Sequence, residues 1–419
     1  MTDMHRLLIP AVRITGLLSI LLLYPAIASA DKCFDCHSSW EEDAKAPSKL
    51  YSHDVHYAAG LGCSDCHGGD PSLDDMDDVR KSRGYKGVPA PLKIPDFCAT
   101  CHADPAYMVK HNPALPTDQL EKYKTSVHGK RLYEKADTKV ANCVSCHSVH
   151  NIEPPETPTS TVYAQNIPKT CANCHADPNY MKEYGIPTDQ YDKFVKSVHG
   201  IDLLVNKDNS APACNSCHGN HGATPPGVTS LSAVCGLCHN LIADNFAKSP
   251  HKKAFDAMGY PECETCHSKH LIEEPKIYWV GTSDSSLCVK CHSPDDGTTG
   301  LATADAMSKS LDSLFRTYNM AAAEINDADV KGMMVIDEKL SLNDVKQAII
   351  QSATEVHTFN AEKVIAVADS GISTADKVYK IGEKKIDDYY FRRKGLGIAT
   401  LLITILAIAI YLKIRSIDK

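Results

Sequence analysis

The sequence is short of the residues that build an ordinary apolar core. Aromatic residues make up 7% of its 419 positions, with 2 Trp and 8 Phe. Long apolar runs are scarce as well. Only residues 14–24 and 395–412 form one, which excludes a polytopic membrane protein. Basic charge is not in excess: 44 Lys and Arg against 52 Asp and Glu leave a formal charge of −8. A basic nucleic-acid binder is therefore not the default reading. Missing, finally, is any cysteine outside one pattern. All 18 fall in C-x-x-C pairs, so none remains for a disulfide framework, a cluster or a nucleophile.

The two apolar runs set the expected topology. Arg6 and Arg13 accompany the first run and Ala28-Ser29-Ala30 follows it. Residues 1–30 thus read as a secretory signal, with Asp31 as the first mature residue. The second run carries no charge and is just long enough to cross a bilayer core. Arg392, Arg393 and Lys394 precede it; Lys413, Arg415 and Lys419 follow it. Those flanks are balanced and do not set orientation. The signal does, and it places the bulk of the chain outside the cytoplasm. The expected order is a signal (1–30), a cysteine-rich domain (31–300), a helical domain (301–394), a transmembrane helix (395–412) and a cytoplasmic tail (413–419).

The cysteines form nine pairs: Cys33/Cys36, Cys63/Cys66, Cys98/Cys101, Cys143/Cys146, Cys171/Cys174, Cys214/Cys217, Cys235/Cys238, Cys263/Cys266 and Cys288/Cys291. Histidine follows each second cysteine, as His37, His67, His102, His147, His175, His218, His239, His267 and His292. C-x-x-C-H is the attachment pattern of c-type haem. Thiols three residues apart lie on one side of a helical turn and can add to the two vinyl groups of one haem. The next residue then offers an imidazole to the iron. Structural zinc takes such pairs two at a time, and nine is odd. Neither zinc nor disulfides account for a histidine at the fifth place nine times over. A thioredoxin-like motif occurs once, beside a βαβ pattern. Nine haems over residues 33–292 leave about 29 residues each. The expected fold is mainly α: short helices and loops wrapped around a core of haem, folding only with it.

The chain also repeats itself. His102 is followed by Ala-Asp-Pro-Ala-Tyr-Met and His175 by Ala-Asp-Pro-Asn-Tyr-Met. Both stretches reach Pro-Thr-Asp-Gln and then Ser-Val-His-Gly, at His128 and His199. A shorter version places Ser249-Pro250-His251 before Cys263. A further histidine lies three residues beyond the motif histidine, at His150, His221 and His270. The unit reads: upstream His, C-x-x-C-H-x-x-H, then a plain C-x-x-C-H. The first unit, Cys63 with Cys98, has His53 or His56 upstream, with His56 preferred, and Asp70 where its downstream histidine belongs.

This pattern resembles the multihaem cytochromes c with doubled C-x-x-C-H units, over roughly residues 33–292. It is similar to the wider group that includes octahaem tetrathionate reductase and hydroxylamine oxidoreductase. The resemblance implies bis-histidine ligation, with the extra histidine bound to a haem other than the neighbouring one. Members that reduce nitrite often carry C-x-x-C-K, which is absent from this sequence. Nothing in it identifies the tyrosine cross-link of hydroxylamine oxidation.

Seven histidines are therefore candidate distal ligands: His56, His128, His150, His199, His221, His251 and His270. His111 aligns with Tyr184 in the repeat and is not required there. His357 lies outside the motif region and is either a buried structural histidine or a ligand to the last haem. Met108 and Met181 recur beside proline, where packing is their commoner role. Saturated, low-potential haems make an electron wire. The expected function is electron transfer between the quinone pool, through a quinol-oxidising membrane subunit, and periplasmic or extracellular redox proteins, in the setting of anaerobic respiration. The alternative is a reductase or oxidase of small nitrogen or sulfur compounds. It needs one five-coordinate haem, at the first, third or ninth motif. Two propionates on each haem make the surface more acidic and favour basic redox partners.

After residue 303 the pattern changes. Met307, Leu311, Leu314, Phe315, Tyr318, Ala322 and Ile325 fall at helical spacing. Ser341-x-x-Asp344 and Ser373-x-x-Asp376 read as helix starts and Gly371 as a helix end. This region is expected to form a helical hairpin or bundle leading into the anchor, its apolar stripes serving a core or a contact between copies of the chain. The acidic stretch at residues 70–78 reads as a solvated loop.

Overall fold

A computed structural model describes residues 32–40, 43, 46–223 and 231–417 of the protein. The expected signal, residues 1–30, and the last two residues of the expected tail lie outside them. Among the described residues every regular element is helical, as the sequence implies. The described residues form two compact units, one of those up to 121 together with 128–161, the other of 122–127 together with those from 162 onward.

Both units use the same local devices. The motifs beginning at Cys63, Cys143 and Cys214 each form a five-residue helix that starts on the first cysteine and ends on the histidine. The Cys263 motif adds one residue in front. Each of the four stops abruptly because the next residue has a positive φ: Gly68 (67°), Ser148 (66°), Gly219 (79°) and Ser268 (63°). The motifs at Cys98 and Cys171 instead end the helices Ile94–His102 and Ile167–His175. Proline at the first turn of each is tolerated because its missing N–H would be an orphan there. Asp104 and Asp177 then cap the next short helices, each carboxylate accepting two backbone N–H groups.

The expected helical region is a three-helix bundle within the second unit. Its helices are Gly300–Val330, Ile336–Glu355 and Ala361–Ile417. Leu314, Ala321, Ile325, Ala328, Val345, Ala368, Ala375 and Val378 form a continuous buried core between them. The second helix starts at Ile336 rather than Ser341. The third starts at Ala361 rather than Ser373, so Gly371 lies inside it. A Cβ at Gly371 would come 2.7 Å from Leu314 Cδ1 and 2.8 Å from Ala348 Cβ. That glycine is a point of close helix approach, not a stop.

The third helix runs unbroken for 57 residues. Its last part carries Leu396, Ile398, Leu401, Leu402, Ile403, Ile405, Leu406 and Ile408, each more than half exposed. A helix apolar all round with nothing packed on it suits a lipid environment, and this segment fits a transmembrane anchor. Its hydroxyls turn inward: Thr400 Oγ1 donates to Leu396 O and Thr404 Oγ1 to Thr400 O, each at 2.8 Å.

The acidic stretch folds on itself. Asp70 accepts from Ser72, and Asp75 caps the helix Met76–Lys81.

Candidate haem centres

Each upstream stretch of the repeat presents its histidine at the start of a short helix. In Asp54-Val55-His56, Ser126-Val127-His128, Ser197-Val198-His199 and Ser249-Pro250-His251 the first residue is buried. The three serine hydroxyls each donate to the carbonyl of an aromatic residue three positions back: Tyr123, Phe194 and Phe246. The glycine of Ser-Val-His-Gly has a steric reason. A Cβ at Gly200 would lie 1.9 Å from Phe194 O.

The downstream histidines are held differently. His150 and His270 have positive φ, 62° and 53°, two residues after Ser148 and Ser268 with the same sign. Histidine is among the few residue types enriched there, and the double left-handed turn re-aims the ring. A backbone bond then ties the two kinds of segment together. Val55 N donates to Ile152 O, Val127 N to Ala223 O and Val198 N to Ile272 O, at 2.8, 3.1 and 2.9 Å. In each case the donor precedes an upstream histidine and the acceptor lies two residues past a downstream one.

These devices bring histidines opposite one another. In the first unit, His56 and His102 have ring centroids 5.9 Å apart, and His67 and His150 6.1 Å. In the second, His199 and His239 are 6.3 Å apart, His218 and His270 6.0 Å, and His251 and His292 5.9 Å. An iron between two imidazoles needs about 2 Å per metal–nitrogen bond and about 1.1 Å more to each ring centre, about 6.2 Å in all. The separations fit that span. Each pair joins a motif histidine to an upstream or downstream histidine, and never to the one three residues away. Of the motifs that the catalytic alternative singled out, the third and ninth carry His102 and His292, each with a histidine across this span.

The rings are prepared for metal. Burial, and then the neighbouring imidazole, lower the pKa of His102, His199, His251 and His267. The neutral ring that a metal needs is thereby favoured. Several rings are also fixed at the other nitrogen. His67 Nδ1 donates to Gly87 O at 2.9 Å, and His292 Nδ1 lies 2.8 Å from Asp296 Oδ2. His56 Nδ1 lies 2.8 Å from Asp54 Oδ1, and Asp54 is 2% exposed. Burial alone would raise the Asp54 pKa; hydrogen bonds from the His56 ring and from Ile152 N and His56 N outweigh it and hold the carboxyl below its usual value. Neither carboxylate partner was apparent from the sequence pattern, although Asp54 stands where the repeat has serine.

The motifs also follow one another in space within each unit. The first helix, Lys32–Trp40, packs on Cys63–His67. Cys66 lies close enough to Cys101 to feel its charge, and Cys98 hydrogen-bonds Cys143. In the second unit Cys171 hydrogen-bonds Cys214 and Cys235 hydrogen-bonds Cys263. Cys217 feels Cys235, and Cys266 feels Cys288. A cleft lined by Cys266, His267, Trp279, Leu287 and Lys290 opens beside the eighth motif.

The two cysteines of a motif differ in exposure. Cys36, Cys146, Cys217, Cys238, Cys266 and Cys291 are exposed, whereas the first cysteine of each pair is half-buried. His239 is exposed with its neighbour Cys238. The reason lies in the motif geometry. First cysteines meet one another between motifs, as Cys98 meets Cys143, Cys171 meets Cys214 and Cys235 meets Cys263. The second cysteine stands one helical turn further on, away from that contact. Exposure is compatible with attachment, since the sulfur must be reachable to form a thioether.

The remaining candidates separate cleanly. His111 is exposed and stacks on Tyr107 at 4.6 Å. Met108 and Met181 are buried, 6% and 4% exposed, in packing positions.

Comparison with known families agrees with this chemistry. A family model described as cytochrome c3 matches residues 55–176. One described as the doubled CXXCH motif matches residues 256–297, and one described as cytochrome c554 and c-prime matches residues 23–68. No curated protein and no solved structure matches the chain. The three family matches support a multihaem c-type cytochrome. It binds c-type haem and transfers electrons.

Proposed function

We propose that this cytochrome carries nine haems, is exported, and is anchored by residues 395–412 on the periplasmic face of the cytoplasmic membrane. There it moves electrons between the quinone pool, through a partner subunit, and periplasmic or extracellular redox proteins. The eighteen motif cysteines attach the haems and the nine motif histidines are proximal ligands. The exposed thiols, Cys36, Cys146, Cys238 and Cys291 among them, keep this role. His56, His150, His199, His251 and His270 are distal ligands, supported by the paired rings. His128 and His221 hold the same places in the repeat and take the same role. The doubled unit is the part that resembles the octahaem tetrathionate reductase and hydroxylamine oxidoreductase group.

The observation that carries this reading is the set of histidine pairs spaced for an intervening iron, on motifs arranged in chain order. Haem supplies the one-electron couple; the protein supplies ligation, spacing and a partly dry setting that tune it. The partner subunit is supported by two features. Residues 361–394 make about 50 Å of helix between the start of the third bundle helix and the apolar segment. Within the apolar segment Thr400 and Thr404 bond back to their own helix, and the exposed Tyr411 hydroxyl stands at its far end. A quinone site in the membrane therefore belongs to another subunit.

The test is low-temperature electron paramagnetic resonance of the oxidised protein, integrated against haem counted by mass. With His53, His111 and His357 the seven distal histidines make ten candidates for nine irons, so nine attached haems, all low-spin, are expected. About one high-spin iron in nine would replace the carrier reading with the catalytic one. Fewer than nine attached haems would overturn the count.

A further inference from the structure

In the doubled repeat, the first haem motif of one unit faces a downstream histidine contributed by the next. His67 faces His150, and His218 faces His270. The last unit, Cys263 with Cys288, has no successor, because the motifs end at His292. His267 should therefore have nothing opposite it from the repeat. It has His357 instead, with ring centroids 6.0 Å apart and planes 21° apart.

His357 lies far from any motif, in the turn between the second and third bundle helices. The turn is nevertheless built like the end of a repeat. In the earlier copies, the residue two past the downstream histidine accepts from the residue before an upstream histidine. The equivalent donor here is Pro250, which has no N–H. The residue two past His357 is Phe359, and it stacks on His251 itself at 3.7 Å. A ring contact thus stands where the backbone bond cannot form. Phe359 also has a positive φ, 50°. Asn245 Nδ2 donates to Thr354 O at 3.3 Å and fastens the corner to the helix Asn240–Ala247. His357 Nδ1 lies 3.3 Å from the same carbonyl. With Nδ1 as donor there, Nε2 keeps its lone pair for a metal.

We propose that His357 is the distal ligand of the haem attached at Cys263 and Cys266. The helical bundle is then more than a spacer. It is the terminal cap of the haem array, supplying from another fold the ligand that a further repeat would have supplied. The ligating turn also leads directly into the helix that continues to the anchor. The inference rests on the reading of residues 263–267 as a haem motif.

The experiment uses full-length, haem-loaded protein carrying His357→Ala. Haem is counted by mass and spin state is read by paramagnetic resonance with and without added imidazole. The expected result is an unchanged haem count, conversion of about one haem equivalent from low to high spin, and recovery of low spin with imidazole. An unchanged spin state at full haem load overturns the inference and leaves the haem reading intact. Absence of haem from the peptide of residues 263–266 in the parent protein overturns the haem reading itself. If His357→Ala fails to accumulate, His357→Met decides. A sulfur-to-iron charge-transfer band and a raised midpoint potential for one haem support the ligand; neither change overturns it.

Discussion

The bundle and the motif region of the second unit are continuous in the chain yet held together differently. In the bundle, side chains from three helices meet in one core, with Leu314, Ile325, Val345 and Val378 almost inaccessible. In the motif region the buried apolar residues are fewer: Phe246 packs on Phe255 with ring centroids 5.8 Å apart, and Leu203 belongs to neither core cluster of the bundle. In the proposed reading, covalently attached haem fills the motif region. The bundle folds on the sequence's own apolar surface, and the motif region folds on surface that the cofactor brings.

The sharpest way to break that comparison is to withhold haem. Export in a host without haem attachment should leave the motif region open to protease while a fragment beginning near residue 300 survives. The measurement is limited proteolysis read by mass. Loss of both regions together would show that the bundle too depends on haem, through the corner at residues 356–359.

A second test attacks the bundle alone. Leu314→Ala removes a side chain 1% exposed and should cost about 2–5 kcal/mol. Gly371→Ala sets a methyl against Leu314 and Ala348 and should cost about 1–3 kcal/mol. Both should lower the melting temperature of the long helices by circular dichroism and leave the haem absorption unchanged. A change in the haem spectrum with either variant would mean that bundle packing reaches the His357 corner.

The same contrast decides what could be read in advance. Haem attachment is written in five adjacent residues, so the motifs were legible without a fold. The upstream and downstream histidines were legible because the repeat restates them. Mainly helical architecture and the anchor followed from periodicity and one apolar run. The pairing partner of His357 was not legible: His267 is distant in sequence and no local spacing links them. Nor was the exposure of Cys36, Cys146, Cys238 and Cys291, since a motif spells out attachment and not which of its two thiols faces outward. Gly371 misled because a glycine inside a helix and one at its end look alike until the neighbouring helix is known. The carboxylates at Asp54 and Asp296 were silent, since hydrogen bonds to a ring nitrogen have no fixed spacing.

Those carboxylates sharpen the comparison further, now among the haem sites. Asp54→Asn keeps the size of the side chain but removes the charge beside His56. A ligand imidazole hydrogen-bonded to a carboxylate is more basic and favours the oxidised iron. Neutralising it should raise the midpoint potential of one haem. A differential of about 1 kcal/mol corresponds to about 40 mV for one electron. Spectroelectrochemical titration reads the shift, and a titration curve identical to the parent's would detach Asp54 from any tuning role.

The smallest effect concerns the angle between paired rings. His56 with His102 and His251 with His292 cross at 79° and 77°. His67 with His150, His199 with His239, and His218 with His270 meet at 30°, 35° and 9°. Crossed ligand planes bring two iron d orbitals close in energy and give low-spin signals of large anisotropy; near-parallel planes give ordinary rhombic ones. The haems at Cys98 and Cys288 should therefore belong to the first class. His56→Ala should remove one strongly anisotropic signal, and His199→Ala should remove a rhombic one. If His56→Ala removed a rhombic signal, the crossed geometry at the third motif would be wrong while the pairing itself still stood. Because Asp54 and Asp296 buttress a ring in each crossed pair, Asp54→Asn also tests whether the carboxylate sets the ring's rotation as well as its basicity.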